Sequence, residues 1–183
     1  MAVIGVFFAE GYEEIEALTV VDICRRAGIE TKMVSIDESI EVTGAHGISV
    51  KMDRCLSNVD FKQLDMIVLP GGLPGTTNLE GCTALMEAAD QFYREGKWLA
   101  AICAAPSIFG HRGFLKGRCA TSYPGFESHL DGAEVTQSAA VADGNIITGR
   151  GMGCAIPFAL LIVEKLISEE AAAKLAAAIV YER

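Results

Sequence analysis

The chain has 183 residues, 51% of them hydrophobic, which suits one ordinary globular domain spanning residues 1–183. Its formal charge of −9 repels a phosphate backbone and no cluster of Lys or Arg compensates, so we expect no stable nucleic-acid binding. The longest strongly apolar run, Cys154 to Val163, is interrupted by Pro157 and is too short to span a bilayer, so we expect no membrane association.

The first half of the chain alternates short apolar segments with helical ones. Residues 1–12, MAVIGVFFAEGY, have no basic segment before the apolar run, unlike a secretory signal, which predicts a cytoplasmic protein. AVIGVFF predicts a strand, and EEIEALTVVDICRRAG predicts a helix that ends at Gly28. IETKMVSI predicts a second strand, and EVTGAHGISVKM predicts two short strands around a turn.

The second half continues this alternation. LDMIVLP predicts a buried strand, CTALMEAADQFYREG a helix, and KWLAAIC a strand that enters a helix beginning near Ala104. The remaining predicted elements are strands at Arg118–Ser122, Glu134–Thr136 and Asn145–Thr148 and helices near Gly153–Ile167 and Glu169–Val180. Apolar strands separated by helices predict a mainly parallel sheet covered on both faces, a three-layer α/β sandwich.

The cysteines and histidines argue against disulfides and structural metal. Six cysteines are widely spaced in a chain that does not need cross-links, so we expect reduced thiols. The sequence has no C-x-x-C motif, and His46, His111 and His129 are not spaced with cysteines as zinc ligands are.

Ligand sites of such sheets lie at the carboxyl ends of the strands, here the loops at 9–13 and 71–78 and the turn at Cys103. Cys103 stands among small residues, AICAA, as in a nucleophile elbow. At the start of a helix, the dipole and free N–H groups favour a thiolate. The alternative is a small core cysteine, since free cysteine is often buried.

The other two loops could assist a thiolate. Gly71 and Gly72 can present backbone N–H groups to an oxyanion, although Gly-Gly is also ordinary turn chemistry. Glu13 and Glu14 suit a helix N-terminus, whereas Glu16 lies one turn into an apolar helix. A buried Glu16 would stay protonated and could donate a hydrogen bond to a thiolate.

Together these segments resemble the ThiJ/PfpI superfamily, in the branch of Parkinson disease protein 7 and its bacterial relatives. The similar segments are EGYEEIEA (10–17), VVDICRRAGI (20–29), IVLPGG (67–72), AAICAAP (100–106) and TGRGMGCAIPFALLIVE (148–164). The resemblance implies a flavodoxin-like, class I glutamine amidotransferase-like domain that forms a homodimer and uses no cofactor. It also implies that Cys103 is the reactive cysteine, that Glu16 is its protonated partner, and that Gly72 and Ala104 direct N–H groups to the cysteine or its adduct.

For function, the resemblance implies a cysteine-dependent enzyme acting on small reactive carbonyls such as methylglyoxal, of the glutathione-independent glyoxalase or deglycase type. The alternative is a redox-sensing, stress-protective protein or chaperone in which Cys103 is oxidised to sulfinate. Proteolysis is disfavoured, because the protease branch carries His where this chain has Ala104.

Two further positions border the expected site. Tyr123 stands where many relatives carry His, and a phenol is a poor base near neutral pH but can donate a hydrogen bond. His46 falls where some relatives have an Arg near the pocket, and it is either a substrate-binding residue or an ordinary turn histidine.

Overall fold

Apolar strands form the centre of the structure, a computed structural model that describes residues 1–182. The strands are β1 (Val3–Phe8), β2 (Glu30–Ser35), β3 (Glu41–Thr43), β4 (Ser49–Lys51), β5 (Arg54–Cys55), β6 (Met66–Leu69), β7 (Trp98–Ile102), β8 (Cys119–Ala120), β9 (Glu134–Val135), β10 (Ala140–Asp143) and β11 (Ile146–Gly149). The helices are α1 (Glu14–Arg26), α2 (Gly75–Gly81), α3 (Thr83–Glu95), α4 (Pro106–His111), α5 (Ala155–Leu166) and α6 (Glu169–Ala178).

The central sheet has seven strands in the order β10-β11-β7-β6-β1-β2-β5. All neighbouring strands pair in parallel except β10, which is antiparallel to β11. From β1 the chain moves outward to β2, and from β6 it moves the other way to β7. The connections therefore diverge between β1 and β6, which is where such sheets open a crevice for ligands.

The two faces of the sheet are covered by separate groups of helices. Ile4, Val6 and Phe8 of β1 pack on the side of α1, α5 and α6, and Phe7 packs on the side of α3 and α4. Successive side chains of a strand point to opposite faces, so one strand supplies both cores. This arrangement confirms the predicted three-layer α/β sandwich with a mainly parallel sheet.

Some elements differ from the sequence-based expectations. Helix α4 begins at Pro106, two residues later than predicted. The predicted loop at 71–78 contains the start of α2, whose sequence GTTNLEG has little intrinsic helix propensity and is held by burial of Thr76 and Leu79. Strands β5 and β10 were not predicted, and β8 and β9 form a separate parallel pair.

The predicted hairpin is present as the antiparallel pair β3 and β4. All six cysteines are free thiols, as predicted. Within residues 1–182, no helix has the length and apolar character required to cross a bilayer.

Candidate active site

The three predicted loops meet at the carboxyl edge of the sheet. Cys103 directly follows β7, and Gly71 and Gly72 follow β6. Glu16 lies in the first turn of α1, the helix that follows β1. Because β1, β6 and β7 are neighbours in the sheet, their ends bring these residues together next to the crevice.

Cys103 has a left-handed backbone conformation, with φ of 66°. Such a conformation costs about 1–2 kcal/mol for a residue with a side chain. Two hydrogen bonds hold it: the Cys103 N–H donates to the Gly149 carbonyl at 3.0 Å, and the Cys103 carbonyl accepts from the Tyr123 N–H at 2.8 Å. The half-buried thiol is therefore fixed in a sharp turn between β7 and α4, as expected for a nucleophile elbow.

Gly71 packs between Cys103 and the carboxyl group of Glu16. A Cβ added at Gly71 would lie 2.6 Å from the Cys103 Cβ and 2.7 Å from Glu16 Oε2, which leaves room for glycine only. The Gly71 N–H donates to Glu16 Oε2 at 2.9 Å. Glu16 is 1% exposed, and its Oε1 has no hydrogen-bond partner among residues 1–182. The free oxygen thus belongs to a carboxyl group that is packed against Cys103.

Burial perturbs both titratable groups of the site. It raises the pKa of Glu16 from 4.5 to about 7, while the neighbouring Cys103 thiol and the Gly71 N–H act in the opposite direction. Burial and the neighbouring Glu16 carboxyl group raise the pKa of the Cys103 thiol. Each negative charge disfavours the other, so the two groups do not both ionise near neutral pH.

This result changes the expected origin of the thiolate. The N–H groups of Ala104 and Gly72 lower the pKa of Cys103, but burial and Glu16 outweigh them. Helix α4 begins only at Pro106 and has six residues, so a helix dipole does not dominate. Transfer of the Cys103 proton to Glu16 would place the thiolate charge beside these two N–H groups.

Tyr123 lies at the rim of the site. Its backbone N–H holds the Cys103 carbonyl, while its side chain is 50% exposed. The ring lies beside Gly151, where an added Cβ would be 3.1 Å from Tyr123 Cδ2. The structure therefore places Tyr123 next to the nucleophile through its backbone, with its phenol directed to the surface.

His46 belongs to a different contact. It lies in the turn between β3 and β4, where its N–H donates to Glu14 Oε1 at 2.8 Å and its Nδ1 lies 2.9 Å from Glu14 Oε2. Glu14 is buried, and the hydrogen bond from His46 lowers its pKa. We expected Glu14 only to complement the helix N-terminus. Nothing in the sequence pairs two residues 32 positions apart, so this contact was missed.

Glu13, Glu14 and His46 also place ligand-type atoms within 4.8 Å of one another. Both oxygens of Glu14 are already engaged by His46. Glu13 Oε2 lies 3.7 Å from His46 Nδ1, so His46 lies between two carboxylates.

Comparison with known proteins finds relatives that match most of the chain. Residues 2–165 match the model of the DJ-1/PfpI family. Protein DJ-1 homolog B of Arabidopsis thaliana is 36% identical over 174 residues, which cover 94% of this chain and 40% of that protein. Deglycase PfpI of Pyrococcus furiosus is 34% identical over 148 residues, covering 79% of this chain and 87% of that protein.

A solved structure of a DJ-1 protein has the same fold. Oxidised DJ-1 of Toxoplasma gondii superposes with a TM-score of 0.96 at 33% identity, covering 100% of both chains. The present chain spans less than half the length of the Arabidopsis relative, so that protein contains sequence with no counterpart here.

Proposed function

Because the chain belongs to the DJ-1/PfpI family, we propose that it is a cysteine-dependent, cofactor-free enzyme acting on α-oxoaldehydes such as methylglyoxal, of the glutathione-independent glyoxalase or deglycase type. The observation that carries the proposal is the pairing of the half-buried Cys103 thiol with the buried carboxyl group of Glu16. The deglycase name of the Pyrococcus furiosus relative supports the same class.

Proton exchange between Cys103 and Glu16 suits the first step of this reaction. With the proton on Glu16, the Cys103 thiolate adds to the aldehyde carbon, forming a C–S bond while the carbonyl π electrons move to oxygen. The N–H groups of Gly72 and Ala104 stabilise that oxyanion, and Glu16 protonates it to a hemithioacetal. Glu16 is then a carboxylate, ready to act as a base.

The second step moves hydrogen between carbons. Glu16 removes the proton from the former aldehyde carbon and delivers it to the adjacent carbon, while the hydroxyl proton of the hemithioacetal passes to the ketone oxygen, so that the ketone becomes an alcohol. The first carbon is oxidised to a thioester in the same process, so no external oxidant is needed. Water cleaves the thioester to lactate, and the thiol and the proton of the pair are restored.

The test is lactate formation from methylglyoxal, measured by NMR. We expect Cys103→Ala to abolish turnover and Glu16→Gln to reduce it by at least about 100-fold, the scale of a lost acid–base group. Cys119→Ala is the matched control, because it removes a half-buried thiol that contacts Glu134 and neither Cys103 nor Glu16. Wild-type turnover no faster than that of Cys103→Ala would refute the proposal.

A redox role is the second candidate, favoured by the free Oε1 of Glu16 beside the thiol. Two equivalents of hydrogen peroxide would convert the Cys103 thiolate through sulfenic to sulfinic acid, with each peroxide reduced to water. A protonated Glu16 would donate a hydrogen bond to the sulfinate. Intact-mass analysis should find two oxygens added at Cys103, and equal oxidation of Cys82, Cys119 and Cys154 would exclude a sensor role.

We further propose that the protein is a cytoplasmic homodimer. An apolar groove on α1 is lined in part by Ile15, Leu18, Ile48 and Ile179, and Ile15 and Ile48 are about half exposed. We propose that a second copy covers this groove. Light scattering should give twice the monomer mass, and Ile15→Glu should shift the protein to monomer. A monomeric wild-type protein would refute this part.

A further inference from the structure

A second cluster of titratable side chains lies outside the site described above. His111 closes α4, His129 ends the short 3-10 turn at Glu127–His129, and Glu80 lies near the end of α2. Glu80 Oε1 is 2.7 Å from His111 Nδ1, and His111 Nε2 is 3.1 Å from His129 Nδ1. We propose that His111 and His129 together bind a divalent first-row transition metal such as Zn²⁺, with Glu80 orienting His111.

The contact with Glu80 determines which nitrogen of His111 is free. A carboxylate only accepts hydrogen bonds, so the His111 proton lies on Nδ1 and a lone pair lies on Nε2. That lone pair faces His129, whose Nδ1 carries the proton between the two rings. A carboxylate hydrogen-bonded to the far nitrogen of a histidine is the usual support of a metal-binding imidazole.

The spacing of the two nitrogens fits a shared ion. Two imidazole nitrogens bind one Zn²⁺ at about 2.0–2.1 Å, which places them about 2.9–3.4 Å apart for bond angles between square and tetrahedral. The observed 3.1 Å lies inside this interval. On metal binding, the His129 proton moves from Nδ1 to Nε2, both rings turn until their lone pairs point at the ion, and water completes its coordination.

The backbone holds the two rings together before any ion arrives. A Cβ at Gly110 would overlap the His129 carbonyl oxygen, so this glycine lets the turn pack directly on α4. Leu130, the next residue, is buried in the core beside Phe109. The rings themselves remain accessible, since His129 is exposed and the His111 side chain is 38% exposed. The pair is thus arranged in advance and open to solvent.

The site is separate from the thiol. Cys103 precedes α4 whereas His111 ends it, and His46, the third histidine, is bound to Glu14 on the β3–β4 turn. The net charge of −9 favours cations in general but does not select this pair. Selectivity therefore has to come from the paired nitrogens.

The experiment is a Zn²⁺ titration of the reduced full chain followed by long-range ¹⁵N NMR of the imidazoles. We expect one equivalent to move the signals of His111 Nε2 and His129 Nδ1 to those of metal-bound nitrogens while His46 stays unchanged. By calorimetry, His111→Gln and His129→Gln should each remove this site. Glu80→Gln keeps both ligands and should weaken binding by about 10–100-fold.

His46→Gln is the matched control and should leave the affinity unchanged, with thermal unfolding confirming that each variant is folded. Unmoved signals of His111 and His129 at ten equivalents of Zn²⁺ would overturn the proposal. So would an equal response at His46, because that would show unselective binding to any imidazole. An isotherm unaffected by His129→Gln would have the same consequence.

Discussion

Replacing Glu16 by Gln should remove one pH-dependent contribution to the free energy of unfolding. The folded protein keeps the Glu16 proton up to about pH 7, whereas the unfolded chain releases it near 4.5. Between these values the unfolded state binds fewer protons, so stability falls as pH rises. The slope is about 1.4 kcal/mol per pH unit for one proton. From pH 5.5 to pH 8 wild type should therefore lose about 2 kcal/mol relative to Glu16→Gln.

Urea unfolding of both proteins at fixed concentration across pH 5.5–8 measures this difference, and the titration of all other groups cancels in the comparison. Fixed concentration matters because association would add to apparent stability. Glu87→Gln makes the same chemical change on the exposed face of α3 and should show no slope. A difference between wild type and Glu16→Gln that stays constant within about 0.5 kcal/mol would refute the buried, protonated carboxyl group.

Three further changes test the local geometry by urea unfolding. Gly71→Ala should lower the free energy of unfolding by about 1–3 kcal/mol, because the added methyl group overpacks against Cys103, and it should slow alkylation of Cys103 by iodoacetamide. Gly81→Ala, where nothing lies within 4 Å of the added Cβ, should change neither quantity. Equal behaviour of the two variants would contradict the close approach of Gly71 to Cys103. Cys103→Gly should be about 1–2 kcal/mol more stable than Cys103→Ala because φ is positive there, and the reverse order would argue against strain. Ser168→Ala should cost about 1 kcal/mol through loss of the α6 N-cap, and an unchanged stability would show that the cap contributes nothing.

The placement of Cys103, Glu16 and Gly71 could be predicted from sequence because each follows a recognisable apolar strand. Parallel strands end at the same edge, so their loops converge whatever the order of the outer strands. The same reasoning predicted the layers of the fold and the β3–β4 hairpin. These features depend on local patterns that a sequence displays directly.

Other features depend on contacts between distant segments. The Glu14–His46 contact joins α1 to a turn 32 positions away, and helix α2 forms because tertiary packing overrides a weak propensity. Sequence reasoning also did not predict that the pKa of Cys103 is raised. It depends on how deeply the thiol and Glu16 are buried together, and a motif of small residues does not encode that burial.

Two destabilising features coincide at one edge of the sheet. Cys103 is held at a positive φ, and Glu16 is buried with an oxygen that has no partner within residues 1–182. Each feature lowers the free energy of unfolding. A glycine in place of Cys103 would avoid the strain, and an apolar residue in place of Glu16 would avoid the buried polar group. Both features lie beside Gly71, where the turn brings Cys103 next to Glu16 and burial raises the pKa of the carboxyl group to about 7. The proposed reaction needs a thiolate, then an acid, then a base from two residues, and a proton exchanged between Cys103 and Glu16 would supply all three.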